Sequence, residues 1–450
     1  MHLRESDSST SSNSFVAHSE DLSLTALHEM LSQLQSEPSS KSDEIALIKE
    51  RIRNLLPQVD TGRALPQKKT PHGRTKVLHL NYIRSQADEP VELEMAYVRF
   101  VAQTVQALGL RLEILTHKAG RDDVEQELTK DEYKGLEYVI LTAQNPVSKW
   151  AEDSVEYLSN GQPAVLTPFD DQLLAWAMTA GRRHRWQGMI APENLEEALQ
   201  DDHLWILLGT RVNTLKTGRA REQAAQAQGQ NVGHIRAYIE GGNLITGEDA
   251  MGNPVILVGK DAIDATAYLY QLNQDEVKQL IREDFGLAGV SQVIGVEQPG
   301  KFHLDMGMLF IGQGVVIVND SREAFKEAKE MAEMVPCLTT EKMAAKLQLQ
   351  SALEEAAAND LQVAGIEVRR AKLENDVDYN FFNGEFVAGK DGLSYYLTNG
   401  GSKEQADWFQ TLMVEDWQVV DEVIFTPPAI AQKSLQDQGG IGCRLKGSQR

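Results

Sequence analysis

Apolar residues at helical spacing mark two segments near the N-terminus. They recur three or four positions apart over 22–34 and again over 45–56, which predicts two amphipathic helices. Helices this short need a surface to pack on, so we expect a helical hairpin over 22–57 that docks on itself, on the main domain or on a second subunit. A polar, Ser-rich stretch predicts a disordered tail over 1–21, and prolines and glycines predict a linker over 58–75.

From residue 76 onward, short β-rich runs alternate with amphipathic helices to the end of the chain. This alternation predicts an α/β fold, and we assign 76–450 to one large domain. The predicted strands cover 76–80, 111–116, 138–142, 164–167, 205–208, 255–258, 293–296, 315–318, 363–368 and 423–426. The predicted helices cover 91–108, 275–284, 322–334, 341–358 and 402–414. We interpret the Ala/Gln-rich stretch 218–230 as a surface loop.

Composition narrows the class of protein. The 450 residues carry 44 basic and 66 acidic side chains, a net charge of −22, which argues against a nucleic-acid partner because phosphates attract Lys and Arg. Two cysteines exclude a disulfide framework and a four-thiolate metal site. Since no apolar run is long enough to span a bilayer and the N-terminus lacks a signal-peptide core, we expect a cytoplasmic protein without a membrane partner.

Three acidic motifs are candidates for chemistry. Trp150 and Asp153 follow a predicted strand, where an aromatic ring and carboxylates could hold a cation. Glu240 precedes two glycines and Asn243, and glycine lets the backbone approach a ligand closely. His303 and Asp305, two apart in a predicted buried strand, share a face and need partners there. The alternatives are an acidic turn, an ordinary glycine turn and a core His–Asp pair.

The glycine-rich C-terminal stretch carries a fourth candidate, Cys443. Cys337 is flanked by apolar residues and resembles a small core side chain, whereas Cys443 lies between Gly442 and Arg444. A neighbouring cation favours the thiolate, the nucleophilic form. A thiol with a histidine suits covalent catalysis, and several carboxylates around it suit a cationic substrate, best a planar guanidinium.

The four motifs in this order, W-x-x-D, E-G-G-N, H-L-D and G-G-x-x-C, resemble the guanidino-group-modifying (pentein) superfamily over about 76–450. The resemblance implies a five-bladed α/β propeller, preceded here by the small N-terminal helical segment. Its members include arginine and agmatine deiminases, dimethylarginine hydrolases and amidinotransferases. The stretch from Lys149 to Tyr157 is most similar to the protein-arginine deiminase branch.

The resemblance also implies roles. Asp153 and Asp305 would bind the guanidinium, His303 would be the general acid and base, and Cys443 would be the nucleophile. We expect Glu240, Trp150 and Asn243 to contact the substrate as well. Glu240 matches the small-molecule deiminases, whereas Glu152 stands where those enzymes usually have arginine. Gly442 stands where the family often has histidine.

The predicted function is hydrolysis of a guanidinium through a covalent cysteine adduct with release of ammonia, converting peptidyl-arginine to citrulline. The alternatives are a small-molecule hydrolase of agmatine, arginine or methylarginine, an amidinotransferase, and an arginine-binding propeller without turnover. No cofactor is expected and any metal is unknown. The protein-arginine deiminase resemblance makes calcium a possible ligand, but the sequence contains no EF-hand-like loop that would support it.

We further expect a homodimer through the N-terminal helices and a bell-shaped pH profile near neutrality. Deletion of the last eight residues should abolish catalysis but spare most of the fold.

Overall fold

A computed structural model gives the fold of the chain. It describes residues 23–36, 41–56, 64–71, 73, 75–84, 91–145, 147–166, 212–299, 303–375, 378–437 and 439–449. The predicted Ser-rich tail over 1–21, part of the predicted linker and the predicted strand over 205–208 lie outside these ranges. No helix in the described ranges is both long enough and apolar enough to cross a membrane.

The described residues form a mixed α/β fold with twelve α-helices. These are α1 (Leu24–Ser36), α2 (Ser42–Asn54), α3 (Val91–Leu108), α4 (Arg121–Leu128), α5 (Val212–Ala227), α6 (Lys260–Tyr270), α7 (Gln274–Asp284), α8 (Arg322–Met334), α9 (Leu338–Val363), α10 (Lys403–Thr411), α11 (Pro428–Gln436) and α12 (Ile441–Arg444). Single helical turns also lie at Glu152–Ser154, Gly241–Asn243 and Leu304–Met306.

The strands are short and lie in several small sheets. They are β1 (Val77–Tyr82), β2 (Arg111–His117), β3 (Glu137–Ala143), β4 (Val155–Tyr157), β5 (Pro163–Leu166), β6 (Gly233–Ile235), β7 (Leu244–Glu248), β8 (Pro254–Gly259), β9 (Val293–Val296), β10 (Met308–Gly312), β11 (Val315–Asn319), β12 (Glu367–Ala371), β13 (Glu374–Asn375), β14 (Tyr379–Asn380), β15 (Gly384–Ala388), β16 (Ser394–Thr398), β17 (Glu422–Phe425) and β18 (Leu445–Ser448).

Five sheets of the described chain repeat one pairing pattern. In β4-β5-β6, β7-β8-β9, β10-β11-β12 and β15-β16-β17, the first strand is antiparallel to the second and the second is parallel to the third. The sheet β18-β1-β2-β3 follows the same rule and adds a fourth strand. The sequence predicted the α/β class; the arrangement of these sheets as five propeller blades stays a prediction.

The C-terminal strand completes the first sheet. Leu445–Ser448 in β18 pairs with β1 from Val77↔Ser448 to Leu80↔Leu445, and all four residues are buried. The last residues are therefore part of the fold. This buried pairing argues against the expectation that deleting them spares most of the fold, because the deletion would uncover the edge of β1.

The N-terminal helices pack on each other and on α6. Leu24 and Leu27 of α1 and Ile52 of α2 share a core with Leu269 and Tyr270 of α6. The apolar faces that suggested a homodimer are thus covered by the chain itself, and a dimer through other parts of these helices stays a prediction.

The stretch 218–230 is not a surface loop. Most of it lies in α5, because Ala and Gln are good helix formers at internal positions. The helix is held against the sheets by Arg221, which is 1% exposed and donates hydrogen bonds to Asn81 Oδ1 and Tyr157 Oη, both at 2.9 Å.

Candidate active site

The site residues lie just before the first strands of the five sheets. Asp153 precedes β4, Asn243 precedes β7, Asp305 precedes β10, Asn383 precedes β15 and Cys443 precedes β18. His303 and Asp305 lie at a helical turn before β10, so the prediction that they share one face of a strand is wrong. Because the sheets repeat one pattern, these pre-strand positions are equivalent. Four of the five were identified from their sequence motifs. Asn383 was missed, and its signal was an Asn-Gly pair directly before an apolar strand.

Cys443 is a buried thiol held by an amide. It is 2% exposed and packs against Met306, Leu435 and Trp150. Asn383 Nδ2 donates to Cys443 Sγ at 3.2 Å, while the backbone N–H of Cys443 donates to Asn383 Oδ1 at 3.1 Å. The side-chain amide of Asn383 therefore positions both the sulfur and the backbone of Cys443.

Close packing explains why glycine occupies position 442. A Cβ there would lie 2.8 Å from the backbone nitrogen of Gly384 and 3.0 Å from Cγ of Asn383. The first contact is with backbone, which cannot move aside as a flexible side chain could. The histidine that the motif resemblance leads one to expect at this position has no space in this chain, because Gly384 and Asn383 fill it.

The imidazole of His303 is oriented by a hydrogen bond to Glu240. Its Nε2 lies 2.9 Å from Oε2 of Glu240, and Glu240 Oε1 accepts a hydrogen bond from Thr214 Oγ1 at 2.5 Å. Burial opposes protonation of the imidazole, but the Glu240 hydrogen bond and the Asp153 charge outweigh it and raise the pKa of His303 to about 9. Glu240, expected to contact the substrate, thus holds the imidazole.

The paired glycines after Glu240 allow this approach. A Cβ on Gly242 would lie 2.4 Å from Nδ1 of His303 and 3.0 Å from Oδ1 of Asp305, and a Cβ on Gly241 would lie 2.1 Å from the carbonyl oxygen of Glu152. Any side chain here would displace the histidine or the acidic turn, which accounts for the E-G-G pattern.

Asp305 and Asp153 are two further carboxyl groups beside the thiol and the imidazole. Asp305 Oδ2 accepts a hydrogen bond from Asn383 Nδ2 at 2.6 Å, and Asp153 Oδ1 lies 3.9 Å from His303 Nδ1. Within the described ranges, Asp153 Oδ1 is buried and has no hydrogen-bond donor. Burial raises the pKa of both carboxyls, that of Asp153 well above its usual value and that of Asp305 to about 7.

Arg444 does not activate the thiol. Its guanidinium pairs with Glu94, with Nη1 3.0 Å from Oε1, and stacks 4.2 Å from the centre of the Tyr97 ring. Burial, together with the charges of Asp305 and Asp153, raises the pKa of Cys443 well above its usual value. The prediction that Arg444 favours the thiolate is therefore wrong.

Two predicted substrate contacts differ in their placement. Trp150 packs against Cys443, and its ring leaves no space for a Cβ on Gly439, so it forms a wall beside the thiol. Asn243 instead donates to Asp261 Oδ1 at 3.1 Å, and its own oxygen accepts from Gln298 at 3.4 Å. These hydrogen bonds hold Asn243 beneath the glycine turn, where it supports the turn.

The part of the chain described contains one group of side chains close enough together to hold a metal ion. The ligand atoms of His303, Asp305 and Cys443 lie within 4.8 Å of one another. Lys69 Nζ lies 3.5 Å from Oδ2 of Asp305, so that oxygen already faces a cation. A thiol, an imidazole and a carboxyl group are also the set that covalent catalysis uses, and we interpret the three residues as a catalytic set.

Comparison with known proteins supports the fold. No protein-family model matches the sequence, and no curated protein matches it. The structure is similar to an X-ray structure of a provisional agmatine deiminase, with a TM-score of 0.51 and 11% identity over 87% of this chain and 99% of that one. It is also similar to the agmatine deiminase of Enterococcus faecalis, with a TM-score of 0.50 and 12% identity over 88% and 100% of the two chains.

The fold is thus like that of agmatine deiminases, in agreement with the coarse pentein resemblance of the motifs. At this level of identity the likeness concerns the fold alone. The protein-arginine deiminase branch is not supported by these two neighbours.

Proposed function

We propose that the protein is a guanidino-group deiminase acting on a small guanidino compound. The observation that carries this proposal is the enclosed cluster of Cys443, His303 and Asp305, whose reactive atoms lie within 4.8 Å of one another, with Asp153 and Glu240 beside the imidazole. The cluster combines a nucleophile, a proton donor and anionic groups that suit a planar cation.

Binding of a guanidinium would also activate the nucleophile. Burial, followed by the charges of Asp305 and Asp153, raises the pKa of Cys443, and a guanidinium that pairs with the two acids cancels those charges. Removing this repulsion lowers the pKa of Cys443, and the thiol proton passes to solvent as the cation binds, because His303 already holds its own proton. The nucleophile is then formed only when a substrate is present.

The chemistry proceeds in two halves. The Cys443 sulfur attacks the central guanidinium carbon, and His303, protonated in the resting site, gives its proton to the departing nitrogen. The C–N bond breaks, ammonia leaves and a thiouronium adduct remains on the sulfur. His303 then takes a proton from water, which attacks the same carbon, breaks the C–S bond and releases a ureido product.

The enclosure of the site favours a small substrate over peptidyl-arginine. Cys443 and His303 are each 2% exposed and Asp305 is 1% exposed, so the reacting groups lie beneath the surface. The structural neighbours that are named for a small-molecule reaction add support. Hydrolysis of agmatine or a similar free guanidino compound therefore replaces peptidyl-arginine as the favoured reaction.

Ammonia release from a panel of guanidino compounds tests the proposal. We expect turnover of at least one among agmatine, arginine and methylarginines, and none of an arginine-containing peptide. Cys443→Ala should abolish ammonia release, whereas Cys337→Ala, which changes the exposed cysteine, should leave it unchanged.

Other outcomes identify the alternatives. Turnover of the peptide alone would support the protein-arginine reaction, and transfer of the amidino group to added glycine without ammonia would identify an amidinotransferase. Full activity in Cys443→Ala would overturn the covalent mechanism. Binding without any turnover would favour a binding protein.

A further inference from the structure

Lys69 brings a buried positive charge from the N-terminal side of the first sheet into the active site. Its side chain is 6% exposed, and its Nζ lies 2.6 Å from Oε1 of Glu152 and 3.5 Å from Oδ2 of Asp305. It belongs to a stretch that the sequence predicts to be a linker, and none of the four motifs includes it. The charge nevertheless touches the acid that we assign to substrate binding.

The backbone around Lys69 is built into two sheets. The Lys69 N–H donates to the carbonyl of Thr246 in β7 at 3.0 Å, and the Gln67 N–H donates to the carbonyl of Tyr157 in β4 at 2.8 Å. Pro66 also forms a β-bridge with Leu158. These contacts fix the backbone at Lys69 and thereby hold its ammonium group in the site.

Asp305 is surrounded by charged groups from several elements. Within the described ranges, the groups that interact with Asp305 are Lys69 before β1, Glu152 and Asp153 before β4, His303 on its own loop, Tyr396 on β16 and Cys443 before β18. Further charges act on these neighbours: Glu240 on His303, Glu385 on Lys69, and Lys446 on Glu152. Lys446 is committed to other acids, with Nζ 2.5 Å from Glu156 and 3.4 Å from Glu152. Lys69 is thus the lysine seated between Glu152 and Asp305.

We propose that Lys69 is a positioning residue that keeps Asp305 ionised and oriented for the guanidinium, so that residues 64–71 are part of the active site. This inference rests on the proposed function. Lys69 and Asn383 both contact Oδ2 of Asp305, which leaves Oδ1, buried beside Gly242, for the substrate.

Electrostatics explains why the cation is needed. Two buried carboxyls close together share a proton, because both cannot stay charged. Glu152 remains charged, since Lys69 and Lys446 outweigh its burial and lower its pKa to about 2. Burial and the Glu152 charge already raise the pKa of Asp305 to about 7, and Lys69 is the first of the cations that act against this rise. Without Lys69 the pKa of Asp305 would rise further, so Asp305 would hold a proton at neutral pH and bind a cation poorly.

The test measures agmatine binding by calorimetry in full-length Cys443→Ala, where turnover cannot interfere. Adding Lys69→Met should weaken binding at pH 7 by about fivefold or more, because a rise of one unit from a pKa of about 7 lowers the ionised fraction of Asp305 from about a half to about a tenth, and the difference should shrink at alkaline pH. Adding Glu152→Gln to Lys69→Met should return the affinity to within about threefold of the parent, because the charge that acts on Asp305 is then gone.

The neighbouring lysine supplies the matched control. Lys68 pairs with Glu248 and its side chain is partly exposed, so Lys68→Met should leave both affinity and pH dependence unchanged. An unaltered pH profile in Lys69→Met, or a double variant as weak as the single one at every pH, would overturn the inference and indicate a packing role.

The outcomes separate this inference from the proposed function. If the unmodified protein releases ammonia but Lys69→Met binds agmatine normally, only the role of Lys69 is overturned. If no guanidino compound is turned over but agmatine binding still depends on Lys69, only the deiminase reaction is overturned. Absence of both binding and turnover across the panel would overturn both.

Discussion

At the scale of single residues, the proposed chemistry depends on how burial and nearby charges determine the protonation state of each reacting group. The thiol of Cys443 is held protonated by burial and by the surrounding carboxylates, while the His303 imidazole is held protonated by Glu240 and Asp153. The resting site therefore contains a protonated nucleophile and a ready proton donor. A cationic substrate that pairs with Asp305 and Asp153 favours loss of the thiol proton, while the hydrogen bond between His303 and Glu240 still favours the protonated imidazole. Binding is thereby coupled to reaction.

The pH profile should consequently be alkaline rather than centred near neutrality. We expect kcat/KM to rise through about pH 7 and to fall through about pH 9. Below the first value Asp305, whose pKa burial raises to about 7, is neutral and cannot pair with a guanidinium. Above the second, His303 has lost the proton that ammonia needs. Initial rates on the best substrate between about pH 5 and 11 measure both limbs. An optimum below about pH 6 would contradict these assignments.

At the scale of elements, the site is made by loops that precede the first strand of each sheet. A glycine is required wherever such a loop presses against another, as at Gly242 beside His303 and at Gly442 beside Asn383. Four of these loops can be identified in the sequence by the motifs W-x-x-D, E-G-G-N and H-L-D and by the cysteine near the C-terminus. The fifth loop contains Asn383, which the pairing pattern shows to be equivalent.

Gly242→Ala should lower turnover strongly with little effect on the fold. The new Cβ would lie 2.4 Å from Nδ1 of His303, and moving the imidazole by about 1 Å should cost about a hundredfold in kcat/KM. Gly312→Ala in β10 is the control, since a Cβ there meets no atom within 4 Å. Rates and thermal unfolding of the two variants are compared. Equal activity in both would show that the glycine turn does not hold the histidine.

At the scale of the whole molecule, the chain closes its first sheet with its last strand. The pairing of β18 with β1 joins residues more than 360 positions apart, for example Val77 with Ser448, and brings Cys443 to the other site loops. The nucleophile is therefore delivered only when the C-terminus has paired, so formation of the fold and completion of the site are linked.

Deletion of residues 443–450 should destabilise the protein as well as inactivate it. It removes Leu445, which is fully buried, and four paired residues of β18, so we expect a loss of about 3 kcal/mol or more in the free energy of unfolding. Chemical denaturation measures this loss. Cys443→Ala is the control, because it removes the thiol and keeps the strand. A truncated protein as stable as Cys443→Ala would contradict the role of β18.

The amino-acid sequence by itself determined the α/β class, both N-terminal helices and the candidates Cys443, His303, Asp305, Asp153 and Glu240, because periodicity and short motifs are local properties. Only the tertiary structure decided that Glu240 holds His303, that Asn243 lies beneath the turn, that Arg444 faces Glu94, and that Asn383 and Lys69 belong to the site. These contacts join residues far apart in the chain. Their energies depend on burial and on neighbouring charges, which exist only once the sheets have paired and water has been excluded.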